Sequence, residues 1–209
     1  MSFNFEDLIY FNDDTLTEEF CKHIIEKFNN DDRREEGKIG GPPGTGPRII
    51  KDIKQSTDLN VSNCMDTWKE EDEVLYKSLN TNLELYSKYV PHCYKHYITN
   101  ETRDTGYQIQ RTEPGGFYTW HNDSNDQCRM VTFLWYLNTI KEEGYTEFCN
   151  GLKVYPERGK IMLFPATWTY IHRGYPPKNE VKYICTGWTH FVWNPYRVSR
   201  DILCHFGIN

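Results

Sequence analysis

No run of about 18 apolar residues occurs anywhere in the 209-residue chain, which excludes a membrane-spanning helix and leaves no membrane partner to expect. No basic stretch precedes an apolar one in the opening MSFNFEDLIY, so an export signal is not expected and a cytoplasmic location is. Positive charge is in the minority. Lys and Arg number 24 against 30 Asp and Glu, for a net charge of -6, and such a chain lacks the field that draws phosphate backbones. Nucleic acid is therefore not expected as a partner. The seven cysteines (Cys21, Cys64, Cys93, Cys128, Cys149, Cys185 and Cys204) are odd in number, scattered and free of any Cys-x-x-Cys pair. That disfavours a disulfide framework or a zinc knuckle and favours reduced thiols. Alanine occurs once, at Ala166, while Asn, Lys, Ile and Tyr abound, a bias that an AT-rich genome explains as well as any structural demand.

What is present suffices for one core: 38% hydrophobic and 15% aromatic residues over this length predict one domain, residues 1–209. Residues 1–103 are expected to give helical support. Leu16, Phe20, Ile24 and Phe28 recur every four positions behind Thr15-x-x-Glu18, which predicts a capped helix from Asp14 to about Phe28. Leu75, Leu79, Leu83, Tyr86 and Val90 predict a second helix from Trp68 to Val90, ended by Pro91. Between them, residues 37–47 hold five glycines and three prolines, which predicts a mobile loop suited to closing over a substrate. After Asp104 the texture changes to short runs rich in β-branched and aromatic residues. Strands are predicted at Tyr107–Thr112, Arg129–Asn138, Thr146–Asn150, Leu152–Tyr155, Lys160–Pro165, Thr169–Arg173 and Val181–Val192. Residues 104–209 thus read as an antiparallel sandwich or jelly roll, and the fold class as mostly β with supporting helices.

The one His-x-Asp, His121-Asn122-Asp123, follows an aromatic stretch, and His172 lies on a predicted strand some fifty positions on. Two imidazoles and a carboxylate can occupy one face of an octahedral iron and leave three adjacent positions open. A closed zinc site would need a fourth ligand, and none is evident. On the last strand, the period of two puts Lys182, Ile184, Thr186 and Trp188 on one face. A lysine pointing into an apolar interior requires a compensating anion. Thr132, Leu134 and Tyr136 share a face of the Arg129–Asn138 strand, so an inward Lys, Thr and Tyr would make a carboxylate pocket.

From Asp104 to Phe191 the chain reads, in order, YQIQRTEPGGFYTWHND, RMVTFLWYLN, EEGYTEF, KVYPERGKIMLFPA, IHRGYPP and KYICTGW. In these segments it resembles the Fe(II)- and 2-oxoglutarate-dependent dioxygenases of the prolyl 4-hydroxylase-like branch. It is similar in particular to virus-encoded members, those of marine cyanophages above all, which would place it in a host cytoplasm. The resemblance implies a double-stranded β-helix core, with His121, Asp123 and His172 as iron ligands. It further implies Lys182 as the ion-pair partner of the distal carboxylate of 2-oxoglutarate, with Tyr136 hydrogen-bonded to the same group. Thr132, Leu134 and Thr186 would add pocket wall. Tyr118 is the aromatic three places before the first ligand, Trp188 would flank the substrate side, and Arg129 stands where relatives contact a peptide. Arg111-Thr112 departs from relatives that carry tyrosine nine or ten places ahead of the first ligand, which bears on the substrate more than on the chemistry.

The function these features imply couples decarboxylation of 2-oxoglutarate, to succinate and CO2, with hydroxylation of a peptidyl proline in a protein or peptide partner. Fe(II), 2-oxoglutarate and O2 would be required and ascorbate would support turnover. Two other readings stand beside it: the same chemistry on a free amino acid or other small molecule, and a β-sandwich that binds metal without turnover.

Overall fold

The structure, a computed structural model, describes residues 4–41, 45–90, 102–124 and 129–191. It is mostly β, built from two antiparallel sheets and two long helices. One sheet contains eight strands: β1 (Tyr10–Asn12), β10 (Ile161–Pro165), β7 (Arg129–Tyr136), β12 (Lys182–Phe191), β5 (Gln108–Thr112), β3 (Thr57–Asn60) and β2 (Glu35–Glu36) in spatial order, with β4 (Thr102–Asp104) also pairing with β12. The other has four, in the order β6 (Tyr118–His121), β11 (His172–Gly174), β8 (Thr146–Phe148) and β9 (Lys153–Val154). This is the jelly-roll arrangement expected from the pattern of short strands.

The two helices cover the outside of the larger sheet. Along β12 the odd residues Tyr183 and Cys185 turn toward them, and along β7 Phe133 and Trp135 are fully buried among the same core side chains. Phe28 of α1 (Glu18–Asn29) meets the Tyr183 ring edge-on, and Tyr86 of α2 (Met65–Tyr89) donates its hydroxyl to the Leu8 carbonyl at 2.8 Å. Period-two alternation thus sends one face of each central strand to the helices and the other to the space between the sheets.

Helix α1 starts two residues later than the capping-box reading implied, with Thr17 rather than Thr15 as its cap. Asp14 has a positive φ of 54°, and Thr15 is engaged elsewhere. Its hydroxyl donates to the Gly159 carbonyl at 2.8 Å and accepts from Trp135 Nε1 at 3.0 Å, so Thr17 caps the helix instead, accepting from Phe20 N. A long-range contact to the sheet therefore overrides a local motif. Helix α2 begins three residues before Trp68 and ends at Tyr89, and the expected stop at Pro91 lies outside the described residues. In the 37–47 loop, Ile39 and Arg48 exchange backbone hydrogen bonds of 2.8 and 2.9 Å, closing the base of the segment, while residues 42–44 lie outside the described set. Strands β1, β2, β3, β4 and β6 were not anticipated, and each is four residues or fewer. No helix among the described residues is long and apolar enough to cross a membrane.

Gly187, in mid-strand on β12, permits the closest approach in the sheet: a Cβ there would lie 2.4 Å from both the Gly106 carbonyl oxygen and Phe133 Cζ. Gly187→Ala is expected to cost about 2 kcal/mol or more of unfolding free energy, read as a lower urea midpoint at unchanged slope.

Candidate active site

Pairing of β6 with β11 sets His121 directly opposite His172, and the two rings lie 4.3 Å apart between centroids. Each imidazole is turned by its own backbone: His121 Nδ1 is 2.8 Å from the Thr119 carbonyl and His172 Nδ1 is 3.0 Å from that of Tyr170. A carbonyl can only accept, so both Nδ1 atoms carry a proton and both Nε2 atoms are turned away from the backbone. Those Nε2 atoms converge on Asp123, at 3.8 Å from Oδ1 for His121 and 3.7 Å from Oδ2 for His172. Thr132 Oγ1 donates to Asp123 Oδ2 at 2.7 Å and so orients the carboxylate from the neighbouring sheet.

Charge states follow from this packing. Burial and the adjacent His172 push the His121 pKa down, which keeps the ring neutral. Burial opposes ionisation of Asp123, but His172, His121 and the Thr132 hydroxyl outweigh it and hold the carboxyl below its usual range. Two imidazoles and one carboxylate, with donor atoms all within 4.8 Å of one another, are a donor set suited to a divalent cation. They fill one face only, which fits an octahedral iron that must keep open positions.

The trio lines a cavity of about 640 Å³, mouth included, between the two sheets. Lys182, Ile184, Thr186 and Trp188 all face it, as their alternation along β12 predicts, and so do Thr132, Leu134 and Tyr118. Lys182 is 4% exposed, and its Nζ donates to the Gly144 carbonyl at 2.9 Å. That carbonyl is presented by a turn in which Glu143 and Gly144 both have positive φ, 61° and 66°. Among the described residues no carboxylate pairs with Lys182, and burial alone pushes its pKa down to about 8. The cavity thus ends in a cation that lacks an anion.

Residues 107–190 match the family model described as the 2OG-Fe(II) oxygenase superfamily. The matched stretch begins just before β5, ends within β12 and takes in His121, Asp123 and His172. The match implies Fe(II), 2-oxoglutarate and O2 as metal and cosubstrates, and His121, Asp123 and His172 bring a metal-ligand set together within the matched stretch. No curated protein matches the sequence. Among solved structures the fold is shared with a viral collagen prolyl hydroxylase from Paramecium Bursaria Chlorella virus-1 in complex with 2OG, at TM-score 0.60 and 18% identity, covering 89% of this chain and 97% of that one. A Trichoplax adhaerens prolyl hydroxylase, in complex with a hypoxia inducible factor oxygen degradation domain peptide, superposes at TM-score 0.70 and 15% identity over 88% of this chain and 84% of that one. A Pseudomonas putida prolyl-4-hydroxylase does so at 0.54 and 17%, over 87% and 92%.

Two of the residues expected at the site have their side chains engaged outside the cavity. Tyr136 does not line the cavity. Its hydroxyl lies 2.8 Å from Thr146 Oγ1 and 3.3 Å from the Val154 carbonyl, and Thr146 is the residue that faces the cavity. Thr146 thus stands between the Tyr136 hydroxyl and the cavity. Arg129 is also turned inward: its guanidinium lies 3.5 Å from the Trp188 ring centroid, and Nη1 donates to the Asp123 carbonyl at 3.1 Å. It braces the loop after the first two metal-facing residues, and it stands behind Trp188 rather than in the cavity. Thr112 lines the cavity as the β5 partner of Lys182, while Arg111 beside it pairs with Glu113 at 2.5 Å.

Sequence reasoning missed Lys54, whose ammonium faces the same cavity and pairs with Asp58 at 2.6 Å. The i, i+4 spacing was visible, but nothing in the sequence tied that segment to β6. Thr146 was missed although its predicted strand placed it on a common face with Phe148.

Thr132→Val is expected to weaken divalent-metal affinity roughly tenfold through loss of the bond to Asp123, measured by Mn(II) titration of the apoprotein. Lys182→Met is expected to raise the stability of the ligand-free protein at pH 7 by roughly 1–3 kcal/mol, because it removes a buried, unneutralised charge. A cation whose pKa falls on folding is penalised below about 8, and the penalty disappears as pH rises toward its ordinary 10.5. The advantage of Lys182→Met in thermal melts should therefore shrink across that interval.

Proposed function

We propose that the protein is an Fe(II)- and 2-oxoglutarate-dependent dioxygenase that hydroxylates a proline within a peptide or protein. The observation that carries the reading is the combination, in one cavity, of a two-histidine, one-carboxylate face with a buried and unneutralised Lys182. In this reading His121, Asp123 and His172 hold the metal. Lys182 and Thr146 hold the distal carboxylate of 2-oxoglutarate, Thr132 orients Asp123, and Leu134, Ile184 and Thr186 exclude water. When bound, the iron and 2-oxoglutarate supply oxidative decarboxylation to succinate and CO2, coupled to insertion of one oxygen into a substrate C–H bond. The chain's own share is to fix the cosubstrate by its charged end and to aim one open metal position at the substrate. Lys182 also sets polarity: Lys54 is neutralised by Asp58, so an anionic end is drawn to Lys182.

A peptide substrate is favoured by an open groove bounded by Glu36, Ile49, Lys51 and the Pro114–Gly116 turn, which shares Lys54 and Ser56 with the metal cavity. An enclosed small molecule would not need such a continuation. The neighbouring folds named above act on collagen or are seen with a peptide, which agrees with this choice. The whole of residues 1–209 would act as one domain, with 1–103 as support for a 104–209 catalytic core.

The test is succinate formation by protein supplied with Fe(II), ascorbate and 2-oxoglutarate, with and without a Gly-Pro-Pro peptide, beside His121→Ala. Peptide-stimulated succinate, a +16 Da peptide and loss of both in His121→Ala are expected. Succinate that no proline peptide stimulates would overturn the peptidyl-proline substrate, and its absence from iron-loaded protein would overturn turnover itself.

A further inference from the structure

Lys54 and Asp58 form an ion pair whose side chains are 4% and 3% exposed. Burying two charges is expensive, and apolar residues of similar size often serve stability as well. This pair stands on the cavity wall, clamped to the strand that carries His121. Gln55 N donates to the Phe117 carbonyl at 2.8 Å and Thr119 N to the Ile53 carbonyl at 2.9 Å, with Lys54 bridged to Tyr118 between them. Lys54 Nζ lies 5.4 Å from the Tyr118 ring centroid, and that ring stacks on His121 at 3.5 Å and 14°. The Tyr118 ring thus contacts both the Lys54 ammonium and the metal-facing imidazole. Asp58 is held in turn by Ser56, whose hydroxyl donates to Oδ1 at 2.7 Å. Gly37 closes over all three: a Cβ there would lie 2.2 Å from Ser56 Oγ, 3.1 Å from Lys54 Cε and 3.3 Å from Asp58 Oδ2.

An unneutralised ammonium beside Tyr118 would repel a divalent cation held by His121, and at a side chain only 4% exposed that repulsion is screened less than in water. We propose that Asp58 is a positioning residue for the metal centre: it neutralises Lys54, which would otherwise oppose metal binding, and holds that lysine against the Tyr118–His121 stack. The inference rests on the metal reading above. It assigns to Asp58, remote from the metal-facing atoms, an effect whose sign depends on Lys54.

The experiment is Mn(II) binding to the full-length apoprotein at pH 7, followed by the electron paramagnetic resonance signal of free Mn(II), with circular dichroism reporting folding. Asp58→Asn keeps the acceptor for Ser56 and leaves Lys54 unpaired, so affinity should fall roughly tenfold. Lys54→Met should leave affinity equal to or tighter than wild type, and the double variant Lys54→Met/Asp58→Asn should return to within about twofold of it. A purely structural pair would instead weaken binding in all three variants. That outcome, or unchanged affinity in folded Asp58→Asn, overturns the proposal. If Asp58→Asn does not fold, the double variant decides: wild-type affinity supports the charge argument and a tenfold loss contradicts it. Failure of the wild type to bind Mn(II), or equal binding by His121→Ala, would sink the metal reading itself.

Discussion

The register of β12 between β5 and β7 is the constraint on which the site depends. Lys182 pairs with Thr112 on one side, while Ile184, Thr186 and Trp188 pair with Tyr136, Leu134 and Thr132 on the other. A shift of one residue would send Tyr183 and Cys185 into the cavity and Lys182 toward the helices. The register is held by what packs on the far side, where Tyr183 meets Phe28 and Asn29 of α1, and Trp135 Nε1 donates to Thr15. The helices therefore position a lysine that they never touch.

The fold treats its two cavity lysines in opposite ways. Lys54 is neutralised on the spot by Asp58, whereas Lys182 has a single backbone carbonyl. The first arrangement costs desolvation but is self-contained. The second lowers the stability of the ligand-free protein and raises the value of an arriving anion, which is how binding sites hold strain that the rest of the fold must support. Thr146 and Thr112 add hydroxyls at the same end of the cavity, so that end is polar while Leu134 and Ile184 keep the passage toward the metal side apolar.

Much of this was legible in the sequence. Alternation put Lys182, Ile184, Thr186 and Trp188 on one face of β12, and the family resemblance, added to residue type and order, singled out His121, Asp123 and His172. Side chains whose partners lie far away in sequence were not legible. Thr15 reads as a capping residue until Trp135 and Gly159, more than a hundred positions on, are seen to claim it. Tyr136 has the right face but sits at the end of its strand, where Thr146 and not the cavity receives its hydroxyl. Arg129 stands where relatives contact a peptide, and its guanidinium is found stacked on Trp188. Strands β1 to β4 carry too few residues for any period to register, and Lys54 was hidden because the segment around it becomes meaningful only when bridged to β6.

The claim that Lys182 is an unneutralised cation awaiting a carboxylate is tested most directly by calorimetry on the Mn(II)-loaded protein at pH 7. The two ligands to compare are 2-oxoglutarate and 2-oxopentanoate, which share the keto-acid end and differ in the distal carboxylate. The account predicts that 2-oxoglutarate binds roughly a hundredfold more tightly and that Lys182→Met erases the difference. Equal affinity of the two ligands for the wild-type protein would contradict it.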